Sequence, residues 1–217
     1  MTTAADIDAG IVRLNESGAA GYALPPGARE KLQAYIALLA KWNATYNLTA
    51  IREPERMVTH HVLDALAVLP HLPDTGPALR VLDVGSGGGV PAVPLAIARP
   101  QWRVVALDSN HKKGAFLQQA VNEIPLPNAE AVVARVEDYV PSAPFDIVIS
   151  RAFSDLETFV ASSARHLAPQ GLLVAMKGVF PDEEIALLPS TVRVVATPAL
   201  AVPGLDAERH LIVMVLA

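Results

Sequence analysis

An apolar strand runs directly into a cluster of glycines at residues 81–91. The segment reads Val-Leu-Asp-Val-Gly-Ser-Gly-Gly-Gly-Val-Pro, and Pro91 suits the first position of a helix. Because glycine has no Cβ, the backbone of such a turn can approach a ligand closely and can adopt positive φ. A helix that starts here also presents free N–H groups. The segment therefore predicts a ligand-binding turn at the carboxyl edge of a parallel sheet.

Short aliphatic runs recur along the rest of the chain, with helical stretches between most of them. Fully apolar short runs separated by helices predict buried parallel strands joined by right-handed crossovers. The last two runs flank the turn residues Pro203-Gly204 and so predict an antiparallel pair. We expect an α/β, Rossmann-like sheet of seven strands with one antiparallel, formed by 79–84, 104–107, 131–134, 145–150, 172–176, 192–196 and 210–216. Helices are expected at 91–98, 112–122 and 156–167.

The N-terminal third of the chain has a different pattern. Apolar residues recur at helical spacing within 27–47, and a second helix is expected to start at Pro54 and run to about Leu69. The first two dozen residues are only weakly patterned, and prolines and glycines at 70–77 read as a linker. We expect residues 1–75 to form a helical extension and residues 76–217 to form the α/β domain, packed as one compact unit.

Composition excludes several kinds of chemistry. The chain has no cysteine, which excludes disulfides, thiolate metal sites and a cysteine nucleophile. The adjacent His60 and His61 would point about 100° apart on a helix, so we expect one surface and one buried histidine and no metal site. No apolar run reaches the roughly 20 residues of a membrane span, and Met1–Gly10 lacks the basic residues of a secretory signal, so we expect a cytoplasmic protein.

Two acidic residues indicate which cofactor the glycine turn would bind. No Lys follows the turn as in a P-loop, and glycine spacing alone does not exclude a dinucleotide. Asp83 would repel a pyrophosphate but suits the cationic methionine end of S-adenosylmethionine. Asp108 ends the next strand, 19 residues after Gly89, where a carboxylate can accept both ribose hydroxyls. Asp108 could instead cap the next helix. The segment 134–138 follows the third strand, where enzymes that bind S-adenosylmethionine commonly contact its adenine.

With these features in hand, the chain strongly resembles the ribosomal RNA small subunit methyltransferase G family, also called glucose-inhibited division protein B, from about Lys41 onward. The resemblance rests on several blocks in order: Lys41-Trp42-Asn43, Tyr46 to Thr49, His61 to Asp64, Asp83 to Pro91, Leu107 to Ser109 with Lys112-Lys113, Arg135 to Glu137, Ser150 to Phe153, Met176 to Gly178 and Glu208 to Leu211. It implies methyl transfer from S-adenosylmethionine to N7 of a guanine in small-subunit (16S) ribosomal RNA. Residues 76–217 would then be the S-adenosylmethionine-binding methyltransferase domain.

The resemblance also implies roles for individual residues. The cofactor contacts would be Asp83, Gly85, Gly87, Gly89, Val90, Asp108, Val136, Glu137 and Arg151. The cations around the RNA pocket would be Arg135, Arg151, Lys177 and Arg209, with Arg151 and Lys177 acting in catalysis. Phe153 would also face the RNA. Two positions depart from the family pattern, Ala92 for a usual glycine and Ala65 for a frequent serine, and both are exchanges between small residues.

The expected chemistry needs positioning groups and no base. Guanine N7 has a free lone pair, so the enzyme must hold it in line with the methyl group, about 3 Å away, and exclude water. We expect Arg151 to lie over the sulfonium pocket and contact the cofactor or guanine O6, and Phe153 to stack on the base. Alternatively, Arg151 pairs with Asp155 or Glu157, and Phe153 belongs to the core.

Other functions remain open from the sequence alone. The same fold could methylate a small molecule or a protein, and a non-catalytic RNA-binding factor could retain the pocket. Asp83 disfavours an NAD-dependent oxidoreductase. The formal net charge of −5 argues against general nucleic-acid binding but leaves room for a specific RNA engaged through a local patch. We expect a monomer that recognises ribosomal RNA within the folded subunit, without a membrane or a metal.

Overall fold

The computed structural model describes residues 2–16, 23–73, 79–151 and 153–217. Seven strands form one sheet in the order β3-β2-β1-β4-β5-β7-β6. Strand β7 is antiparallel to both of its neighbours, while the pairs among β1 to β5 are parallel. The strands are β1 Arg80–Val84, β2 Arg103–Asp108, β3 Ala129–Val133, β4 Phe145–Ser150, β5 Leu167–Lys177, β6 Val192–Ala196 and β7 His210–Leu216. The predicted seven strands with one antiparallel are therefore confirmed.

Helices cover both faces of the sheet. They are α1 Thr2–Glu16, α2 Ala28–Tyr46, α3 Pro54–Met57, α4 Asp64–Leu66, α5 Ala92–Ala98, α6 His111–Glu123, α7 Leu156–Ser163 and α8 Asp182–Ala186, with short 3-10 turns at Leu69–His71 and Ala164–His166. Neighbouring strand residues point to opposite faces. Val81 therefore joins the apolar cluster under the N-terminal helices, and Leu82 joins the cluster on the α7 face. Burial on both faces explains the continuous apolar runs of the sequence.

The second N-terminal helix contains a widened turn. Residues Val58–Leu63 form a π-helix between α3 and α4, as the predicted helix from Pro54 passes towards the sheet. The apolar face expected there is buried, with Val62 and Leu66 both fully covered. Single π turns are often found at functional sites. This turn places His61 and Asp64, both buried, on the side of the helix that faces the sheet edge.

Several elements differ from the sequence prediction: helix α8 was not predicted, and β3 spans Ala129–Val133 instead of 131–134. Helix α1 was not predicted, although Ile7, Ile11 and Leu14 recur at helical spacing and pack in the apolar cluster. Helix α7 ends at Ser163, and β5 already pairs with β4 at Leu167, not at Leu172. The strand starts early because it contains a bulge. Leu167 pairs with Phe145 and Leu172 pairs with Ile147, so four residues of β5 lie opposite one residue of β4, and Gln170 among them has φ +65°.

The boundary between the expected extension and the α/β domain falls at residues 74–78, which lie outside the described ranges, whereas the expected linker at 70–77 begins within the 3-10 turn Leu69–His71. The division at residue 75 stays a prediction. Side chains of the N-terminal helices and of the sheet share one apolar cluster, which includes Leu32 of α2 and Val104 of β2. Among the described helices, none is both long and apolar enough to cross a membrane.

Candidate active site

The glycine turn lies where β1 ends, at the carboxyl edge of the sheet. Gly85, Gly87 and Gly89 all have positive φ, between 58° and 84°, which explains why glycine is needed at each. The amides of Gly85 and Ser86 both donate to the carbonyl of Leu107, at 2.9 and 3.0 Å. The turn is thereby fixed to β2, and its backbone stands open to a ligand.

Asp83 lies buried beneath this turn. Its Oδ2 accepts hydrogen bonds from Ser86 Oγ at 2.6 Å and from the amide of Ala92 at 3.1 Å, so it caps the start of α5. Burial raises the pKa of Asp83 from 3.8 to about 6, although these hydrogen bonds and Arg151 oppose the shift. Oδ1 has no hydrogen-bond partner among the described residues. Asp83 lines none of the three cavities described below, so its buried charge would act on a cationic ligand from beneath the turn and not by direct contact.

Asp108 connects the second strand to the glycine turn. Its Oδ2 accepts from the amide of Gly87 at 2.9 Å, and its Oδ1 accepts from the amide of Asn110 at 2.8 Å. Asn110 caps α6 by accepting from two amides of its first turn. The alternative in which Asp108 caps that helix is therefore wrong. Each carboxylate oxygen keeps one acceptor site, which leaves Asp108 able to bind hydroxyl groups.

Three cavities follow one another along this edge. The first, about 250 Å³, brings together Asp108, Val136 and Glu137, which were expected around the adenosine. Arg135 and Phe153 also line this cavity, although they were expected to face the RNA. The full lining is Val84, Gly85, Leu107, Asp108, Ser109, Ala134, Arg135, Val136, Glu137 and Phe153.

The second cavity, about 240 Å³, lies on the other side of Gly85. It is lined by Leu39, Leu48, Thr49, His61, Gly85, Ser86, Gly87, Gly88, Val90 and Arg151. The expected contacts Gly87, Val90 and Arg151 therefore meet here. Gly89 lies behind the turn, where a Cβ would come within 2.7 Å of Val93 Cγ2, so its role is to let the turn pack on α5.

The third cavity, about 280 Å³, is cationic and shares Arg151 with the second. It is lined by Asp64, Arg151, Met176, Lys177, Gly178 and Arg209. Strand β7 runs antiparallel, so its first residue pairs with Lys177 at the end of β5. That pairing brings Arg209, the residue before β7, to the same edge. Three of the four expected RNA-facing cations thus meet here, while the exposed Arg135 lies at the first cavity.

Arg151 is held by partners that the sequence did not indicate. Its Nη1 donates to the carbonyl of His60 at 2.8 Å and to Asp64 Oδ2 at 3.1 Å. The suggested pairing with Asp155 or Glu157 is wrong, because the carboxylate that pairs with Arg151 is Asp64. Asp155 instead caps α7 by accepting from the amide of Thr158. Sequence reasoning missed Asp64 as a site residue, although it stands in the block from His61 to Asp64.

Lys177 and Phe153 both make contacts within the protein as well as lining a cavity. Lys177 Nζ pairs with Glu184 Oε2 at 2.7 Å and donates to the carbonyl of Ser154 at 3.2 Å. The ring of Phe153 lies 5.3 Å from that of Phe159, so it packs against the core and also lines the first cavity. Whether Phe153 also stacks on a base stays a prediction.

His61 forms part of a hydrogen-bonded network beside the second cavity. Its Nδ1 lies 2.9 Å from the carbonyl of His60, which requires a donor, so its Nε2 accepts from Thr49 Oγ1 at 3.0 Å. Burial and Arg151 lower the pKa of His61 to about 4, so the ring is neutral at pH 7. The prediction of one buried, hydrogen-bonded histidine is confirmed. The described residues include no group of three or more side chains able to hold a metal ion.

Comparison with solved structures defines the class. A SAM dependent methyltransferase from Aquifex aeolicus superposes with a TM-score of 0.59, at 18% identity, over 83% of this chain and 98% of that one. The glycopeptide N-methyltransferase MtfA, complexed with S-adenosyl-L-methionine, gives 0.57 at 14% identity over 73% and 96%. The fold is therefore the Rossmann-like α/β fold of S-adenosylmethionine-dependent methyltransferases.

Sequence comparison narrows the class to one family. The family model for rRNA small subunit methyltransferase G matches residues 28–212. A relative from Chromobacterium violaceum that bears this name is 58% identical over 86% of this chain and 88% of its own length. Another, from Burkholderia pseudomallei, is 55% identical over 89% and 85%. The chain belongs to the rRNA small subunit methyltransferase G family.

Proposed function

We propose that the protein transfers a methyl group from S-adenosylmethionine to N7 of a guanine in small-subunit (16S) ribosomal RNA. Family membership supports the substrate class. The observation that carries the reaction is the sharing of Arg151 by a cavity at the glycine turn and a cationic cavity. One side chain thereby borders both the cofactor side and the RNA side of the site.

The residues of the first two cavities fit the proposed cofactor. The carboxylate of Asp108 faces the first cavity, where it can accept the ribose hydroxyls, with Val136 and Glu137 beside the adenine. The open backbone of the glycine turn and the free Oδ1 of buried Asp83 suit the cationic methionine end. When bound, the cofactor supplies an electrophilic methyl group on its sulfonium.

The protein's own groups fit a reaction without a general base. His61 is neutral, and both of its ring nitrogens are engaged by Thr49 and His60. Guanine N7 needs no deprotonation, so alignment and water exclusion supply the rate enhancement. We propose that Arg151 and Lys177 align the base by donating to its acceptor edge, and that Arg135, Phe153 and Arg209 contact the surrounding RNA. These cations would also neutralise nearby phosphates.

We further propose that the enzyme works as a monomer, in the cytoplasm, on ribosomal RNA within the small subunit. The net charge of −5 supports an assembled target, because an acidic protein gains little from naked RNA at random sites. The second candidate is a methyltransferase of the same fold acting on a small molecule or a protein. The cationic third cavity favours RNA over that alternative.

The experiment is tritiated methyl transfer from S-adenosylmethionine to small ribosomal subunits of a strain that lacks this gene, with deproteinised 16S RNA in parallel. We expect label in 7-methylguanosine at one position, and more on subunits than on free RNA. Arg209→Ala should greatly slow the labelling, leaving a measurable residual rate, and keep cofactor affinity, while Arg193→Ala, an exposed arginine on β6, should change neither. Cofactor binding without any labelled RNA would favour the small-molecule or protein substrate.

A further inference from the structure

Asp64 is the only fully buried carboxylate that the structure places in the third cavity among the described residues. Its side chain is 0% exposed, and its two oxygens are used by two different arginines. Oδ2 accepts from Arg151 Nη1 at 3.1 Å, and Oδ1 accepts from Arg209 Nε at 3.0 Å. One carboxylate therefore bridges the two guanidinium groups.

The bridge joins three distant parts of the chain. Asp64 opens α4, Arg151 follows the end of β4, and Arg209 precedes the start of β7. The two hydrogen bonds connect residues 87 and 145 positions apart. Both arginines are half-buried, and without a shared anion their positive charges would repel one another. The carboxylate thus sets where both guanidinium groups stand.

The remaining donors of the two arginines are left for a ligand. Arg209 Nη1 donates to the carbonyl of Glu208 at 2.8 Å, while its Nη2 makes no hydrogen bond within the described part of the chain. Arg151 Nη2 lies 3.5 Å from His61 Nδ1, which already carries a proton for the His60 carbonyl, so it is not satisfied there. Guanine offers two acceptors, O6 and N7, on one edge.

We infer that Asp64 is a positioning residue for methyl transfer, which fixes Arg151 and Arg209 so that their free N–H groups meet the acceptor edge of the target guanine. The inference rests on the proposed function. Asp64 acts through the arginines and is not a base, because both of its oxygens already accept charged hydrogen bonds. Its removal therefore affects turnover more than RNA binding, since the cavity becomes more positive while alignment is lost.

The test is steady-state methylation of small subunits by Asp64→Asn, which keeps the shape and removes the charge. Asparagine can accept from one arginine only, and its amide nitrogen faces the other. We expect kcat to fall about 100-fold, as for a misplacement near 1 Å, with the KM for subunits changed less than threefold. Asp8→Asn, which breaks a surface ion pair with Arg29, should leave both constants unchanged.

A double-mutant cycle between Asp64 and its two arginines separates a positioning role of Asp64 from a merely structural one. Asp64→Asn should cost little further activity when introduced into Arg151→Ala/Arg209→Ala, because its partners are already gone. An equal loss in both backgrounds would overturn the inference, as would a folded Asp64→Asn enzyme with wild-type kcat. If Asp64→Asn does not fold, Arg209→Lys tests the same contact, since it keeps the charge and removes the Nε donor. Wild-type kcat in that variant would also overturn it.

One readout does not depend on the substrate. In a nitrogen-15 spectrum of arginine side chains, Arg209 Nε–H should give a resonance protected from exchange in the wild type, and Asp64→Ala, which leaves neither acceptor oxygen, should remove that protection. If the wild-type enzyme labels no RNA but shows this resonance, the proposed function fails while the bridge stands. An unprotected Arg209 Nε–H in a wild-type enzyme that is active on subunits would contradict the bridge itself.

Discussion

Acidification is expected to weaken cofactor binding through Asp83. The pKa of this carboxyl is raised from 3.8 to about 6 by its burial, so it is mostly ionised at pH 7 and mostly protonated at pH 5. A cationic ligand above the glycine turn binds the ionised form better and pulls the pKa down. If only the ionised form binds tightly, the affinity for S-adenosylmethionine falls about tenfold between pH 7 and pH 5, or about 1.4 kcal/mol.

Isothermal titration calorimetry of the wild type and of Asp83→Asn checks this expectation. Asparagine imitates the protonated carboxyl, so the variant should bind at both pH values at least as weakly as the wild type does at pH 5, and with no change between them. At pH 6 the wild type should release about half a proton on binding, measurable from the dependence of the heat on the buffer. The variant should release none. A pH dependence that persists unchanged in Asp83→Asn would refute the reasoning.

The buried carboxyl group of Asp83 also lowers the free energy of unfolding of the cofactor-free enzyme at neutral pH. Because its folded-state pKa lies above the ordinary value, the folded protein binds this proton more tightly than the unfolded chain does. Its contribution to stability is therefore greatest below about pH 4 and is lost as the pH rises through 6, by roughly 3 kcal/mol in all. Saturating cofactor should recover stability at pH 7, which thermal unfolding with and without ligand would show.

Three further expectations concern neighbouring residues. For His61 the pH effect on stability is opposite to that of Asp83, because the folded-state pKa of His61, about 4, lies below its ordinary 6.5. The difference in unfolding free energy between the wild type and His61→Gln should therefore shrink by about 2 kcal/mol from pH 7 to pH 5. A difference that stays constant with pH would contradict this. Tyr35→Phe removes a buried 2.6 Å hydrogen bond to a carbonyl of the glycine turn and should cost about 1–3 kcal/mol in urea unfolding, whereas Tyr46→Phe, at an exposed position, should cost nothing measurable. Gly89→Ala combines φ +84° with a 2.7 Å contact to Val93 and should cost about 2 kcal/mol or more; wild-type stability would show that the turn relaxes freely.

Local signals in the sequence predicted most of the fold. Asp83 lies in the strand that enters the glycine turn and Asp108 ends the next strand, so each carboxylate is specified by the few residues around it. The turn at Pro203-Gly204 likewise indicated that the last strand reverses. These features depend on backbone chemistry and short-range periodicity, which a single sequence displays directly.

The features that could not be predicted depend on contacts between residues that are far apart in the sequence. Nothing near Asp64 in the sequence indicates that Arg151 and Arg209 will reach its two oxygens. The wrong partners suggested for Arg151 were simply the nearest acids in the chain. Burial and charge pairing of this kind are decided only when the sheet assembles.

The order of strands at one side of the sheet has a consequence for synthesis of the protein. Strand β7 lies between β5 and β6, although β6 precedes it in the chain. During translation β6 has no strand to pair with until residues 210–216 have emerged, and Arg209 reaches the third cavity only with them. A nascent chain that has already formed the glycine turn is therefore still without its full set of cations. The third cavity is therefore complete only when β7, the last strand in the chain, has paired with β5.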